Sequence, residues 1–331
     1  MTSRQFRTDE NAAFERPRRH TRPRTKDRPD YSAAEIGVVI TVDRGRFTVL
    51  LEGHEVSATK ARQLGRTGVI VGDRVRIVGD TSGEEGTLGR IVQVEERTTV
   101  LRRTADDDDP YERPIVANAD QLVIVTALAD PPPRTGMIDR ILVAGYDAGL
   151  DPLLCLTKAD LAGPEELLAQ YGPLGVRVQT VQPGADLTDL RAVLAGRTSV
   201  FVGHSGVGKS TLVNALIPDA HRGVGVVNEV TGRGRHTSSS AIALRLPPLA
   251  GADDGGWVID TPGVRSFGLS HVTRESIVAA FPDLDELTQG CPRGCTHETG
   301  APECALDAAV DRGDLARARL ESFRRMIDAG Q

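Results

Sequence analysis

The residues best suited by type and spacing to do chemistry are Gly203-His204-Ser205-Gly206-Val207-Gly208-Lys209-Ser210-Thr211. From Gly203 to Ser210 they fit G-x-x-x-x-G-K-[ST], in which successive backbone N–H groups curl round phosphate oxygens and the following helix adds its positive N-terminal end. Lys209 would reach the outer phosphates. Ser210 would place its hydroxyl on magnesium, a hard cation that keeps most of its water and takes few protein ligands. A glycine-rich turn that binds nothing is the alternative. Against it, the apolar run Ser199 to Val202 supplies the strand, and Thr211 to Ile217 the helix, that a phosphate loop requires.

Other loops offer complementary chemistry. A strand at Pro152-Leu153-Leu154-Cys155-Leu156 ends in Thr157-Lys158-Ala159-Asp160, close to the Asn-Lys-x-Asp element of GTPases. Asp160 would accept hydrogen bonds from N1 and N2 of guanine, a donor pair that adenine lacks, with Lys158 against the base. Thr157 stands where asparagine is usual, which predicts a looser loop with the base contact kept. Such a tetrapeptide also occurs in ordinary strand-to-helix turns, and it is the phosphate loop in the same sheet that favours base binding. Farther along, Gly232 to Ser240 reads as a mobile loop or a polar linker, in which Thr237 could give magnesium a second hydroxyl. The strand Gly256 to Asp260 ends in Asp260-Thr261-Pro262-Gly263. There Asp260 would hold magnesium through water and the Gly263 N–H would sense the γ-phosphate, so both loops would relax on hydrolysis.

A third cluster is Cys291-x3-Cys295-x-His297-x6-Cys304. Three thiolates and an imidazole make a closed tetrahedral zinc site of the structural kind, because no position is left for water. Reduced free thiols are the alternative. Cys155 lies in a strand and reads as simply buried.

The elements that must position these loops follow from patterning. Residues 1–34 hold Arg16, Arg18, Arg19, Arg22, Arg24, Lys26 and Arg28 among prolines and predict a disordered basic arm, either merely solvated or docking on nucleic acid phosphates. Residues 35–104 carry about five short β-rich runs, among them Val69-Ile70-Val71, which predict a small barrel of the oligonucleotide-binding type. Lys60, Arg62, Arg66, Arg74 and Arg76 could share one face of it, or be ordinary solvated charges. The acidic run Asp106 to Asp109 marks a boundary. Strand and helix then alternate over residues 112–270, with near-continuous apolar strands as in a parallel sheet covered on both faces. In ordinary GTPases the phosphate loop comes first, but here Asp160 precedes Gly203, so the domain reads as circularly permuted. Re-cutting is tolerable because the binding loops all emerge at the carboxyl edge of the strands. Residues 271–331 hold the cysteines and a final helix capped by Asp314, with Leu315, Leu320, Phe323 and Met326 on one face. Its Arg317, Arg319, Arg324 and Arg325 could touch RNA or be solvated.

Composition bounds the rest. A chain of 331 residues with 39% hydrophobic content can bury a real core, and its net charge of -6 exerts no global pull on nucleic acid. No apolar run is long enough for a bilayer and the N-terminus lacks a secretory core, which predicts a cytoplasmic protein with no membrane partner.

With Asn118-Ala119-Asp120-Gln121, Ile138-Asp139-Arg140, the reordered loops and the cysteine cluster in one order, the chain from about Gly37 onward resembles the circularly permuted GTPases called ribosome small-subunit-dependent GTPase A. The resemblance implies an α/β chain with an N-terminal OB-type β-barrel, a central circularly permuted P-loop GTPase domain and a C-terminal zinc-binding helical domain. It implies one structural zinc per chain, magnesium with GTP, and a monomer that binds GTP or GDP, the 30S ribosomal subunit and 16S rRNA. Acting late in 30S maturation, such a protein hydrolyses GTP under stimulation by the subunit and so leaves it. Where most GTPases have a water-orienting glutamine this chain has Val264. The resemblance points to His236 as the catalytic candidate beside Lys209, ahead of His204. Thr180 to Gly184 lacks the family's Ser-Ala contact to guanine, and the cysteine cluster has a first gap one residue shorter and a last gap one longer than is typical. The different-class alternatives are an RNA-binding assembly factor that senses nucleotide with negligible turnover, and a P-loop ATPase or small-molecule kinase.

Overall fold

The strands of the computed structural model follow the alternation of the sequence. It describes residues 30–65, 68–103, 113–218, 241–249, 255–263, 267–269 and 272–329. Thus His236, Thr237, Val264, the acidic run and nearly all of the basic arm lie outside the described residues. Residues 34–331 pack as one unit. Five strands, β1 (Glu35–Asp43), β2 (Arg46–Leu51), β3 (His54–Lys60), β4 (Arg74–Gly79) and β5 (Gly89–Val94), close in the order β1-β2-β3-β5-β4-β1. All pairs are antiparallel except β3–β5. Val39, Phe47, Val49, Val56, Val75, Ile77 and Ile91 fill the barrel.

One expected strand was misplaced. Val69-Ile70-Val71 forms only an isolated bridge, Val71 to Val116. The chain turns there because Gly72 takes φ 88° and Asp73 accepts the Ile70 N–H at 2.8 Å. The true third strand, His54–Lys60, buries only Val56 and Ala58 among polar neighbours, so its period of two is carried by two residues.

A two-stranded ribbon, β6 (Val100–Arg103) with β7 (Arg113–Ala117), leads into the parallel part of the same sheet, which has eleven strands among the described residues. Its parallel strands run β10 (Arg177–Thr180), β9 (Asp151–Thr157), β8 (Gln121–Ala127), β11 (Thr198–Gly203), β13 (Trp257–Asp260), followed by antiparallel β12 (Ile242–Arg245). All of β8 is buried. Helices α1 (Thr135–Asp147) and α2 (Glu165–Tyr171) contribute to the core on one face through Ile141, Leu142 and Leu167. On the other face α3 (Thr188–Leu194) and α4 (Lys209–Leu216) contribute Leu190, Leu212 and Val213.

The C-terminal helices α5 (Arg274–Ala279), α6 (Pro282–Thr288), α7 (Ala305–Arg312) and α8 (Arg317–Ala329) continue the α1 core. Phe281 sits between Tyr146 and Phe323, with ring centroids 4.7 and 5.5 Å away. The last helix starts at Arg317, and Asp314 pairs with Arg312 at 2.8 Å instead of capping it. Leu315, Leu320, Phe323 and Met326 are buried as expected. Three of its arginines serve the protein itself. Arg319 grips Asp283 through two bonds of 2.7 Å, Arg324 grips Asp307, and Arg325 meets Asp139 at 3.3 Å.

Asp139 is 3% exposed, and burial pushes its carboxyl up while Tyr171 and Arg325 pull it down. The Tyr171 hydroxyl donates to it at 2.8 Å. Removing Asp139 leaves the part-exposed Arg325 guanidinium, which also donates to Gln170 O at 3.1 Å, without its carboxylate and Tyr171 without its acceptor, so Asp139→Ala is expected to cost about 1–3 kcal/mol. Urea unfolding measures this, and the loss should shrink when Arg325 is also replaced by Met.

Candidate functional site

The expected loops meet at the carboxyl edge of the parallel strands. Strand β11 ends at Gly203, where a Cβ would lie 2.5 Å from the Val125 carbonyl oxygen, so only glycine lets the chain pass β8. Gly208 takes φ 87° just before α4, a conformation other residues rarely adopt. Ser205, Gly206, Ser210 and Thr211 are exposed around this turn, while Val207 and Lys209 are buried. The Lys209 ammonium donates to the Asp260 carboxylate and, at 2.5 Å, to the Thr261 carbonyl oxygen. Thr261 in turn donates its hydroxyl to Phe201 O at 2.7 Å, fastening the end of β13 to β11. Gly263 comes alongside, since a Cβ there would lie 3.5 Å from Ser205 N. His204 is half-buried and its Nδ1 lies 2.7 Å from Ser205 O.

Strand β9 ends at Thr157, which is 5% exposed. Its Oγ1 lies 2.5 Å from Val207 O and 3.2 Å from Thr126 O. A hydroxyl has one proton, so the shorter contact to the phosphate loop takes it. The expectation of a loosened loop is therefore reversed, because threonine ties the base-side loop to the phosphate loop. Lys158, at φ 57°, reaches back and donates to the Asp130 carbonyl, and Asp160 is exposed beyond it. Val181, in the segment without the Ser-Ala pair, accepts from Ala159 N at 3.2 Å and so braces this loop through its backbone.

The Asp130-Pro131 turn was not singled out from sequence. Pro131 lies 3.8 Å from where a Gly206 Cβ would be, so this turn walls the cleft beside the phosphate loop. The only hint was three consecutive prolines after a buried strand.

The ligand atoms of Cys291, Cys295, His297 and Cys304 all lie within 4.8 Å of one another. His297 Nδ1 is 3.6 Å from Cys291 Sγ and 3.9 Å from Cys304 Sγ. Zinc bonds of about 2.3 Å to sulfur and about 2.0 Å to nitrogen at tetrahedral angles require roughly 3.5 Å between such atoms, so the residues fit the ion. Burial lowers the His297 pKa, with Arg274 and Arg324 adding to it, which leaves a neutral imidazole for coordination. Burial also holds the Cys291 thiol up at about 11, so without a cation it stays protonated. The altered gaps fall in turns, with Gly294 at φ 76° in the first and Gly300 at φ 82° in the last, and His297 itself at φ 57°. Arg324 donates to the His297 carbonyl at 3.0 Å and fixes that turn.

A phosphate loop and a guanine-type loop at the same edge of one parallel sheet, on strands β11 and β9 with β8 between them, in reversed chain order, define a circularly permuted P-loop GTPase. The RsgA GTPase family profile matches residues 94–270, and the chain belongs to that family. It is 37% identical to the small ribosomal subunit biogenesis GTPase RsgA of Pseudomonas fluorescens SBW25, over 90% of this chain and 86% of that one. The protein of the same name from Pseudomonas syringae pv. tomato DC3000 is 41% identical over 78% of this chain and 74% of its own. Among solved structures, YjeQ from Thermotoga maritima superposes with a TM-score of 0.65 at 27% identity, covering 89% of this chain and 98% of that one. YloQ, described as a circularly permuted GTPase, superposes with a TM-score of 0.62 at 25% identity, covering 92% and 97%.

Replacing Thr157 tests the tether. Thr157→Val keeps the shape but leaves the Val207 carbonyl unmet, at a cost of roughly 1–2 kcal/mol. GDP affinity measured by calorimetry should fall about tenfold, while Thr157→Ser should retain it. Equal affinities for the two variants would sink the idea.

Proposed function

We propose that this chain is a GTP hydrolase that acts on the small ribosomal subunit late in its assembly and uses hydrolysis to leave it. The observation that supports the reading is the convergence of Thr157, Val207, Lys209 and Asp260 at one sheet edge, with Asp160 exposed three residues beyond Thr157. Family membership and the names of the relatives support the ribosomal setting.

In this reading the backbone from Gly203 to Thr211, with His204, Ser205, Gly206, Val207 and Gly208 between, cradles the phosphates. Lys209 turns from Asp260 toward the outer ones. Asp160 reads guanine N1 and N2, with Lys158 along the base and Thr157 holding the loop. Ser210 and Thr237 offer hydroxyls to magnesium, Asp260 offers a carboxylate through water, and Gly263 offers its N–H to the γ-phosphate. Magnesium, when bound, neutralises charge on the β- and γ-oxygens. His236, beside Thr237, is the group proposed to orient the attacking water once the partner rearranges its loop. With Val264 in the glutamine position, the intrinsic rate is slow. The domains divide as barrel 35–104, nucleotide-binding 112–270 and zinc-binding 271–331, with the arm 1–34 placed against RNA. The protein works as a cytoplasmic monomer, with 16S rRNA as its contact.

The first test is hydrolysis of GTP and ATP by the protein alone and with 30S subunits, with Lys209→Ala as control. A large 30S-dependent rise confined to GTP is expected. Tight GTP binding without any rise would favour a nucleotide-gated binding protein instead. Asp160→Asn should move preference from guanine to xanthine nucleotides, which an ATPase would not show.

Zinc at Cys291, Cys295, His297 and Cys304 is structural in this reading. Atomic emission should find about one zinc per chain, and Cys295→Ser should lose it together with thermal stability, because metal binding energy becomes folding energy. Full stability in the zinc-free protein would argue for free thiols.

A further inference from the structure

The barrel joins the nucleotide-binding sheet by two attachments of unequal strength. At the start of β8 the junction is dense. Arg97 donates to both carboxylate oxygens of Asp73 at 2.7 and 2.8 Å, and Asn118 donates to Gly72 O and accepts from Thr98 N, each at 2.9 Å. Nearer the nucleotide edge the backbone join among the described residues is one pair, Thr41 of β1 opposite Ile242 of β12, with Ile40 beside it buried in the core that holds Ala243 and Ile259. A bulge between Val39 and Thr41 lies at this point in β1.

That pair lies in a row that crosses the sheet. Thr41, Ile242, Asp260 and Phe201 are successive register partners on β1, β12, β13 and β11. With strands about 4.8 Å apart, the barrel backbone stands about 10 Å from that of Asp260. Asp260 is the last residue of β13, so the direction of its carboxylate depends on how firmly the ladder is held on either side. Toward β11, Thr261 fastens it to Phe201. Toward β12 the ladder is four residues long, and a strand of that length with an unpaired flank would fray.

We propose that barrel strand β1, acting through the Thr41–Ile242 pair, is a positioning element for Asp260. The proposal rests on reading Asp260 as the carboxylate on the magnesium side of the nucleotide. By pairing with β12, β1 turns an edge strand into an internal one and keeps the end of β13 in place. The linkage works in both directions. Whatever binds the barrel and distorts β1 changes magnesium affinity, and magnesium with GTP steadies β1 by the same factor.

The experiment uses the full-length protein and measures GTP binding as a function of magnesium, together with GDP binding in EDTA. Val42→Pro removes the N–H that faces β12, because the Arg44-Gly45 turn makes Asp43–Arg46 and Thr41–Thr48 the hydrogen-bonded pairs with β2, and it leaves every residue at the nucleotide in place. It is expected to raise the magnesium needed for half-saturation about fivefold or more, with GDP binding in EDTA unchanged. A merely structural role would weaken both together or neither, and either result overturns the proposal. Thr48→Val removes the Thr41 side-chain partner, found at 2.7 Å, but spares the backbone pair, and should change nothing. Asp260→Asn should raise the magnesium requirement by itself. If it does not, the reading of Asp260 fails and the proposal falls with it. Should Val42→Pro not fold, hydrogen exchange on the unmodified protein decides. A non-hydrolysable GTP analogue with magnesium should protect residues 39–43 and 242–245 more than GDP does, with β3 and β5 unchanged, and equal exchange overturns the proposal.

Discussion

The charge on Lys209 is the constraint from which the site follows. A buried ammonium is costly unless it is paired and hydrogen-bonded, and Lys209 is 7% exposed. Its partners, Asp260 and the Thr261 carbonyl, both lie at the end of β13. That requirement makes β13 the neighbour of β11 and brings Gly263 against Ser205. Two of the three ammonium protons are thereby engaged. On the opposite flank β8 separates β11 from β9 by one strand, a spacing that lets the Thr157 hydroxyl reach the Val207 carbonyl. The cleft is thus bounded by two tethers, one ionic and one neutral, that meet on the same loop.

Much of this was legible in the sequence, for reasons that differ from element to element. The phosphate loop reads directly because its pattern is one of consecutive residues, and the cysteine–histidine cluster reads because metal coordination admits few residue types. The effect of Thr157 did not read, since the acceptor that gives the side chain its role is 50 positions away. Periodicity found strands with many inward side chains and misjudged those with few. Val69 and Val71 are buried without belonging to a strand, whereas β3 buries little and still closes the barrel. The end of the last helix was set by ion pairing at Asp314, which no propensity records.

Basic residues illustrate the same limit from the side of function. In sequence, the arginines of α8 could serve RNA as readily as the protein. Arg319, Arg324 and Arg325 instead hold α6, α7 with the His297 loop, and α1. Arg324 and Arg325 point from adjacent positions to opposite neighbours, so one turn of helix binds the cysteine cluster to the nucleotide-binding domain. A count of cations on that helix would have overstated its pull on phosphates. On the barrel, Arg74 is exposed on β4 and Arg76 shares its outward side but donates to Glu95 at 2.6 Å.

Permutation gives these attachments their meaning. An uninterrupted GTPase order would place the chain ends away from the loops that sense the γ-phosphate. Here the cut falls between the base-binding and phosphate-binding halves in such a way that β13, whose end carries Asp260, leads in chain order through Gly263 to α5 and the helices of the cysteine cluster. On the sheet edge, β12 is shared between β13 and the barrel. Each flanking region is therefore connected to the same strand end, one through the covalent chain and one through a backbone pair. A sheet that is close-packed and resists gradual deformation passes displacements along such connections in preference to absorbing them. The re-cut order leaves the binding chemistry where it was and changes what the nucleotide pulls on.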